Sequence, residues 1–308
     1  MRACWLKWVG RDWSISADYI WLNYSDANNT KAAGLKGIID GEVWMSENHF
    51  LNDKSEFGVA TEVMRELLKS KIGESDKCAN VIKRLSDEAA RLNSYGDVGE
   101  KVAFAADYVM SLCMDSDSAL LWSEFTDFQG YSIEFNLGKL LESFPGYCCH
   151  GSVIYSRAEQ SSLLEQVVIR DYFENDRWPE LSDWESIERL EGENLESFVF
   201  MFGADIAIRN MFFKHECFSG EQEYRIVYSA IHDGGRCAPD EYESVNYRVR
   251  DELLIPFIKV EIDPADSIKS ITAGPLNSNS LYLQGVRHLL RSKRIKVPVK
   301  KSVVPLRY

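Results

Sequence analysis

Glu221, Glu223 and Arg225 occupy alternate positions in the segment Gly220 to Val227 (GEQEYRIV). On a strand, residues two apart share a face, so two carboxylates and a guanidinium would line one side. Tyr224, Ile226 and Tyr228 would take the other side. Such a row fits two pictures. One is a surface ion-pair ladder, which contributes little stability. The other is a site where one carboxylate orients a sugar hydroxyl and developing positive charge is stabilised nearby.

Two further clusters carry polar groups at chemically useful spacing. Asn23, Tyr24 and Ser25 close the first aromatic run, where they could meet a ligand's amide or ribose. The same residues also suit a strand end that turns into a helix, with Ser25 or Asp26 as the N-cap. Asn52, Asp53 and Glu56 form the other cluster. Asp53 and Glu56 have capping-box spacing, with Asp in place of Ser or Thr, so the local signal there is a capped helix start. A different chemistry, a nuclease, would gather Asp53, Glu56 and Glu223 around a magnesium ion.

Metal-ligand spacing is otherwise missing from the sequence. The five histidines (49, 150, 215, 232 and 288) show no HExxH pattern, and the seven cysteines contain no CxxC pair. Cys148, Cys149 and His150 are adjacent, which is a poor basis for a tetrahedral site. They read as structural, and no metal is expected. The odd, scattered cysteine count indicates a reduced, cytoplasmic protein without a disulfide framework.

Composition bounds the possibilities. The 308 residues hold 35 Lys+Arg and 48 Asp+Glu, a formal charge of −13. Such an acidic balance argues against broad duplex binding, which needs a large cationic footprint. A hydrophobic content of 45% supports a buried core. No apolar run approaches the ~20 residues of a bilayer-spanning helix, and Met1 to Trp5 lack a signal-peptide pattern. Basic residues gather at the end of the chain, at Arg287, Arg291, Lys293, Arg294, Lys296, Lys300 and Lys301. A run of that kind is most simply a solvated face.

The elements that must position these groups follow from periodicity. Strands are predicted at 19–24, 42–46, 104–113, 131–135, 151–156, 222–231, 253–262, 268–275 and near Val297. Helical spacing covers 28–39, two stretches from Glu56 to about residue 100, then 118–126, 158–173, 194–213 and 280–291. Strands and helices in this irregular order predict an α+β fold: a single domain over 1–308, with 56–100 as a helical insertion. Neither GxGxxG nor GxxxxGK[ST] occurs, so Rossmann and P-loop readings fail.

In order, several segments resemble the bacterial domain-of-unknown-function family 2971. They are Leu22 to Ser25, Val43 to Ser46, Leu51 to Glu56, Leu121 to Phe125, Gly130 to Phe135, Glu221 to Arg225, Ile268 to Pro275 and Pro305 to Arg307. Two departures are visible: Asn23 stands where relatives often carry His, Lys or Arg, and Ser111-Leu112-Cys113 where many have Cys-Phe-Ser. The arrangement is also similar to the ADP-ribosyltransferase superfamily, with an early polar strand, a middle platform and a late Glu-x-Glu strand. That resemblance implies a mixed, largely antiparallel sheet core of ADP-ribosyltransferase-like type. It also implies an NAD-consuming transferase, a bacterial toxin or antiviral effector that modifies RNA, DNA or protein.

By the same resemblance Glu223 would be the catalytic glutamate and Glu221 its acceptor-side neighbour. Asn23, Tyr24 and Ser25 would face the nicotinamide ribose, and Trp122 or Tyr131 would stack on a ring. Arg225 would contact pyrophosphate or pair with Glu221. Asn52, Asp53 and Glu56 would touch substrate. NAD would be a substrate without a metal, an inhibitory antitoxin protein a partner, and the membrane no partner. A nucleic-acid acceptor would need a narrow basic and aromatic groove, with the C-terminal cations to line it. The rival class is a non-enzymatic recognition module.

Overall fold

The structure, a computed structural model, describes residues 19–23, 31–51, 58–93, 107–144, 148–229, 245–250, 252–277 and 279–306. In chain order these form β1 (Tyr19–Asn23), α1 (Lys31–Asp40), β2 (Glu42–Glu47), α2 (Val59–Ile72), α3 (Asp76–Asn93), β3 (Asp107–Cys113), α4 (Ala119–Thr126) and β4 (Tyr131–Asn136). Next come α5 (Leu137–Glu142), β5 (Cys149–Ser152), α6 (Arg157–Val168), a π-helical turn (Ile169–Phe173), α7 (Trp184–Glu188), α8 (Gly192–Asn210) and β6 (Glu223–Ser229). The chain closes with β7 (Val245–Arg250), β8 (Leu253–Glu261), α9 (Pro264–Ser267), β9 (Ile268–Ala273), α10 (Ser280–Ser292) and β10 (Val299–Lys301). The fold is mixed α+β, and every strand pair except β9–β10 is antiparallel.

Two compact units divide the chain: Met1–Phe50, Asp107–Ser152 and Gly220–Tyr308 make the first, Leu51–Ala106 and Val153–Ser219 the second. The helices expected as an insertion, α2 and α3, thus share a unit with α6, α7 and α8.

The first unit is a ten-stranded sheet in the order β10-β9-β4-β1-β3-β2-β8-β7, with β6 bonded to β3 and β5. β6 occupies one edge of β3 along its whole length, from Asp107↔Ser229 to Cys113↔Glu223. A strand has only two edges, so β1 and β2 share the other. β1 meets it at Trp21↔Cys113, and β2 meets it at Ser46↔Val109 and Glu47↔Tyr108. The sheet therefore forks, with one arm leaving each end of β3.

Register gives the two faces of this sheet different characters, because directly paired residues point the same way. Val43, Met45, Met110, Leu112, Ile133, Phe135, Ile226 and Ile271 are buried on one face. Helices α1, α5 and α9 pack against β2, β4 and β9. Trp44, Ser46, Ser111, Glu134, Glu223 and Arg225 fall on the opposite face by the same register.

At the rim of the first unit, the turn after β9 closes on the turn before β4. Gly274 donates its N–H to the Gly130 carbonyl at 3.0 Å, and Leu276 donates to Phe128 O at 3.0 Å. A Cβ at residue 274 would lie 2.8 Å from Phe128 O and 2.9 Å from the Gln129 backbone. Backbone atoms cannot rotate aside, so Gly274→Ala is expected to cost about 1–3 kcal/mol. Urea unfolding at wild-type midpoint would contradict that.

The second unit is helical. Asn210 of α8 accepts the Ala60 N–H at 2.9 Å, which satisfies an open donor at the start of α2 that Gly58 cannot cap. Gly203 lets α3 approach α8 closely, since a Cβ there would sit 2.7 Å from Glu88 Cγ. Tyr172, on the π-helical turn, packs its ring against Trp178, Phe198 and Phe202. Its hydroxyl donates to Asp205 Oδ2 at 2.7 Å, while Arg209 Nη1 donates to Asp205 Oδ1 at 3.0 Å.

Asp171 sits beside this network, and its carboxyl is pushed up from 3.8 to about 7, first by burial and then by Asp205. Arg170 and Arg209 oppose the rise. A carboxyl that holds its proton more tightly when folded stabilises the protein below its unfolded pKa. That contribution is lost as pH climbs from about 4 to about 7. Asp171→Asn is therefore expected to melt higher than wild type at pH 8 and to flatten the pH dependence across that window. Parallel melting curves at pH 5 and pH 8 for both proteins would refute it.

Candidate functional site

β6 forms because Glu-Tyr-Arg-Ile-Val-Tyr-Ser alternates polar with aromatic and β-branched residues, which suits a pleated strand. It starts at Glu223, one residue later than the sequence predicts. Gln222 has a left-handed φ of 46°, which breaks the alternation, and Glu221 falls in a preceding 3-10 turn. The expected three-residue row is thus corrected: only Glu223 and Arg225 share the strand face.

Those two residues are joined by two hydrogen bonds. Arg225 Nε donates to Glu223 Oε1 at 2.9 Å and Nη2 donates to Oε2 at 2.8 Å. The arginine is 1% exposed and the glutamate 8%. Arg225 therefore chelates Glu223, a neighbour on the same pleat. Such a two-bond geometry fixes the carboxylate plane. It takes two of the roughly four acceptor positions of a carboxylate.

Around this pair, register brings together residues from three strands. Cys113 lies opposite Glu223, and Ser111 lies opposite Arg225. Cys113 also pairs with Trp21 of β1, two residues from Asn23. Glu223 of β6 and Trp21 of β1 thus flank the same end of β3, on its two edges. Every residue of β3 is buried except Ser111, which retains partial exposure. On β2, Trp44 and Ser46 are likewise half-buried, while Val43 and Met45 are enclosed. Trp44 leans on Phe257 with ring centroids 4.4 Å apart, and Ser46 Oγ accepts from Arg248 Nη2 at 3.1 Å.

Other expected site residues are placed elsewhere. Trp122 is 1% exposed, and its indole donates to Asp117 Oδ1 at 2.6 Å. Asp117 Oδ2 accepts the Val303 N–H at 2.8 Å, so Trp122 and Asp117 anchor the C-terminal segment. A ring enclosed in this way offers no face to a ligand, which corrects the stacking role. Tyr131 lies on the opposite sheet face from Glu223, by the register through Cys113, Trp21 and Glu134. It lines a groove of about 450 Å³ with Ala32, Leu35, Leu281 and Tyr282, and burial raises its phenol pKa. Tyr131 and Glu223 therefore cannot line one surface.

Tyr24, Ser25, Asn52, Asp53 and Glu56 lie outside the described residues, and for Asn23 only the backbone pairing with Ser132 is described. Arg287 and Arg291 of α10 do not line the groove that holds Tyr282 and Gly285. At 100° per residue, Arg287 and Arg291 fall roughly on the flank opposite the groove-lining Tyr282 and Gly285. Lys293 is held by Asp40 at 2.5 Å, and Lys300 lies 3.9 Å from Glu134.

Neighbouring titratable groups have local explanations. His150 Nδ1 and the Tyr224 hydroxyl are 2.7 Å apart on the apolar face. Burial lowers the imidazole pKa and pushes the phenol up to about 12. Burial also pushes the Cys148 thiol up to about 12, so it stays protonated at neutral pH. Cys149 and His150 are consecutive on β5 and point to opposite faces, so they do not converge on one ion. Glu47, 1% exposed, contacts the half-buried His49 Nδ1 at 2.5 Å, a pair that no sequence pattern flags.

Among the described residues, the chain combines a forked antiparallel sheet with a buried Glu–Arg pair on β6, across β3 from the fork. The family model "Protein of unknown function (DUF2971)" matches residues 121–226, from α4 to the middle of β6, and so takes in Glu223 and Arg225. The match supports the resemblance to that family. No curated protein and no solved structure matches the chain. No described helix is long and apolar enough to cross a membrane.

Proposed function

We propose that this protein is an NAD-dependent ADP-ribosyltransferase of ADP-ribosyltransferase-like fold, acting as a toxin or antiviral effector on a nucleic-acid or protein acceptor. The observation that carries the reading is the placement of Glu223 on a late strand, level with Trp21 of β1 across Cys113. In the reaction the bond from ribose C1′ to the nicotinamide nitrogen breaks, and its electron pair leaves with nicotinamide. An acceptor oxygen or nitrogen bonds to C1′ and gives up a proton. Glu223 accepts a hydrogen bond from the ribose and stabilises the positive charge that builds on the ring. Arg225 holds that carboxylate in one plane, and Glu221, on the preceding turn, approaches from the acceptor side.

The experiment is incubation with NAD labelled in its adenylate, with and without cellular RNA, DNA and protein. Transfer of label by wild type and its loss in Glu223→Gln are the expected results. No transfer to any acceptor would overturn the reading, and magnesium-dependent cleavage without NAD would replace it with a nuclease.

A second reading has its own observation. The two-bond chelate of Glu223 by a fully buried Arg225 is also what a purely structural ion pair looks like. On that reading the protein is a recognition module without catalysis. It expects the Glu223 variant to lose stability and no label to move.

A further inference from the structure

We infer that strand β7 is a self-association edge, which pairs antiparallel with β7 of a second copy of this chain about a twofold axis at Tyr247. β7 is the outermost described strand of its arm of the sheet. Val245, Tyr247 and Val249 share one face with Ile258, Pro256 and Leu254 of β8. Through Ile258↔Met45 this is the apolar face of the sheet, which helices cover at β2, β4 and β9. Beyond those helices the apolar side chains continue into solvent. Tyr247 is 63% exposed, Val249 72% and Leu254 59%.

A proline fixes the direction of the β7 backbone. Pro256 has no N–H and pairs with Tyr247, so Tyr247↔Pro256 is a non-hydrogen-bonded pair. The hairpin agrees, since Arg250 and Leu253 enclose a two-residue turn, whose closing pair exchanges hydrogen bonds. Bonded and non-bonded pairs alternate along an antiparallel ladder, so Val245, Tyr247 and Val249 aim N–H and C=O away from β8. The residues with outward backbone groups are thus the ones on the exposed apolar face.

That coincidence selects a second copy as the occupant. Opposed residues in an antiparallel pair turn their backbones together and their side chains the same way, so odd positions must meet odd positions. Centring on Tyr247 sets Tyr247 against Tyr247, Val245 against Val249 and Arg248 against Asn246 of the second copy. Like charges are not opposed there, and aromatic and β-branched pairs support the ladder. Arg248 is drawn inwards to Ser46, and β7 has no proline, lysine or bulge of the kind that blocks an edge.

Sedimentation equilibrium of the full chain tests the pairing. One strand and its flanking side chains make a small interface, so a dimer with a micromolar dissociation constant is expected. Val249→Lys and Tyr247→Pro are each expected to weaken it about tenfold or more, with melting by circular dichroism unchanged. Under mild oxidation Tyr247→Cys is expected to link to its mate, because opposed Cα atoms in a bonded pair lie about 5.5 Å apart. Val249→Cys opposes Val245 instead of its own mate and is expected not to link. Peptide mass spectrometry separates these links from those of the native cysteines. A monomer at every concentration, a dimer indifferent to both substitutions, or linkage through Val249→Cys instead of Tyr247→Cys would overturn the pairing. Capture of a monomer by phosphatidylserine vesicles would overturn it in favour of a membrane surface.

Discussion

Arg225→Met is expected to cost about 3–5 kcal/mol of folding stability, the usual result of stranding one partner of a buried ion pair. Glu223 is 8% exposed and is held by two hydrogen bonds from this one guanidinium. Without them the carboxylate loses its chelating cation in a poorly solvated place. The arginine stem also fills volume at the centre of the sheet, between Ser111 of β3 and Gly151 of β5. Methionine replaces much of that volume, so the loss reports mainly on charge. Replacing both partners, Glu223→Met with Arg225→Met, is expected to recover most of the stability, since apolar pairs often match buried ion pairs. Urea denaturation of the two single variants and the double variant completes the cycle. Additive losses would show that the two residues act independently.

Glu223→Gln is expected to slow label transfer by about 10²–10³-fold, the scale seen when one group that stabilises transition-state charge is removed. Glutamine keeps the length but not the charge, and turns an amide N–H₂ towards the Arg225 donors. The variant is thus expected to be less stable as well, so turnover is read per folded molecule, with melting monitored by circular dichroism. Glu223→Asp separates the two effects. It retains the negative charge but withdraws the carboxylate by one methylene. If the transferase reading is right, both variants lose transfer while the aspartate variant remains the more stable. Full transfer by either folded variant would remove Glu223 from the chemistry.

Local signals made much of the architecture legible. The alternation in β4 and β6, the Ser118 cap of α4 and the apolar stripes of α2 and α3 are properties of consecutive residues. The mixed α+β class followed from their order. α5, α7 and α9 escaped because one or two turns leave no room for a helical period. β7 escaped because it is an edge strand whose polar Asn246, Arg248 and Arg250 interrupt any apolar pattern. Trp122 carried a motif signal but is anchored to Asp117, and nothing in its spacing distinguishes an enclosed indole from an exposed one.

By itself, the sequence determined that Glu223 and Arg225 stand on one face of a late strand, because the two-residue repeat of a β-strand is a local fact. Tertiary structure decided the rest. It made Arg225 the partner of Glu223, and it put Tyr131 on the far side of the sheet. By bringing β1 and β2 to one edge of β3, it opened the fork at Ser111. Which strands meet, and where they part, is set by the burial of one apolar face over residues far apart in the chain, and no short window of sequence contains that information.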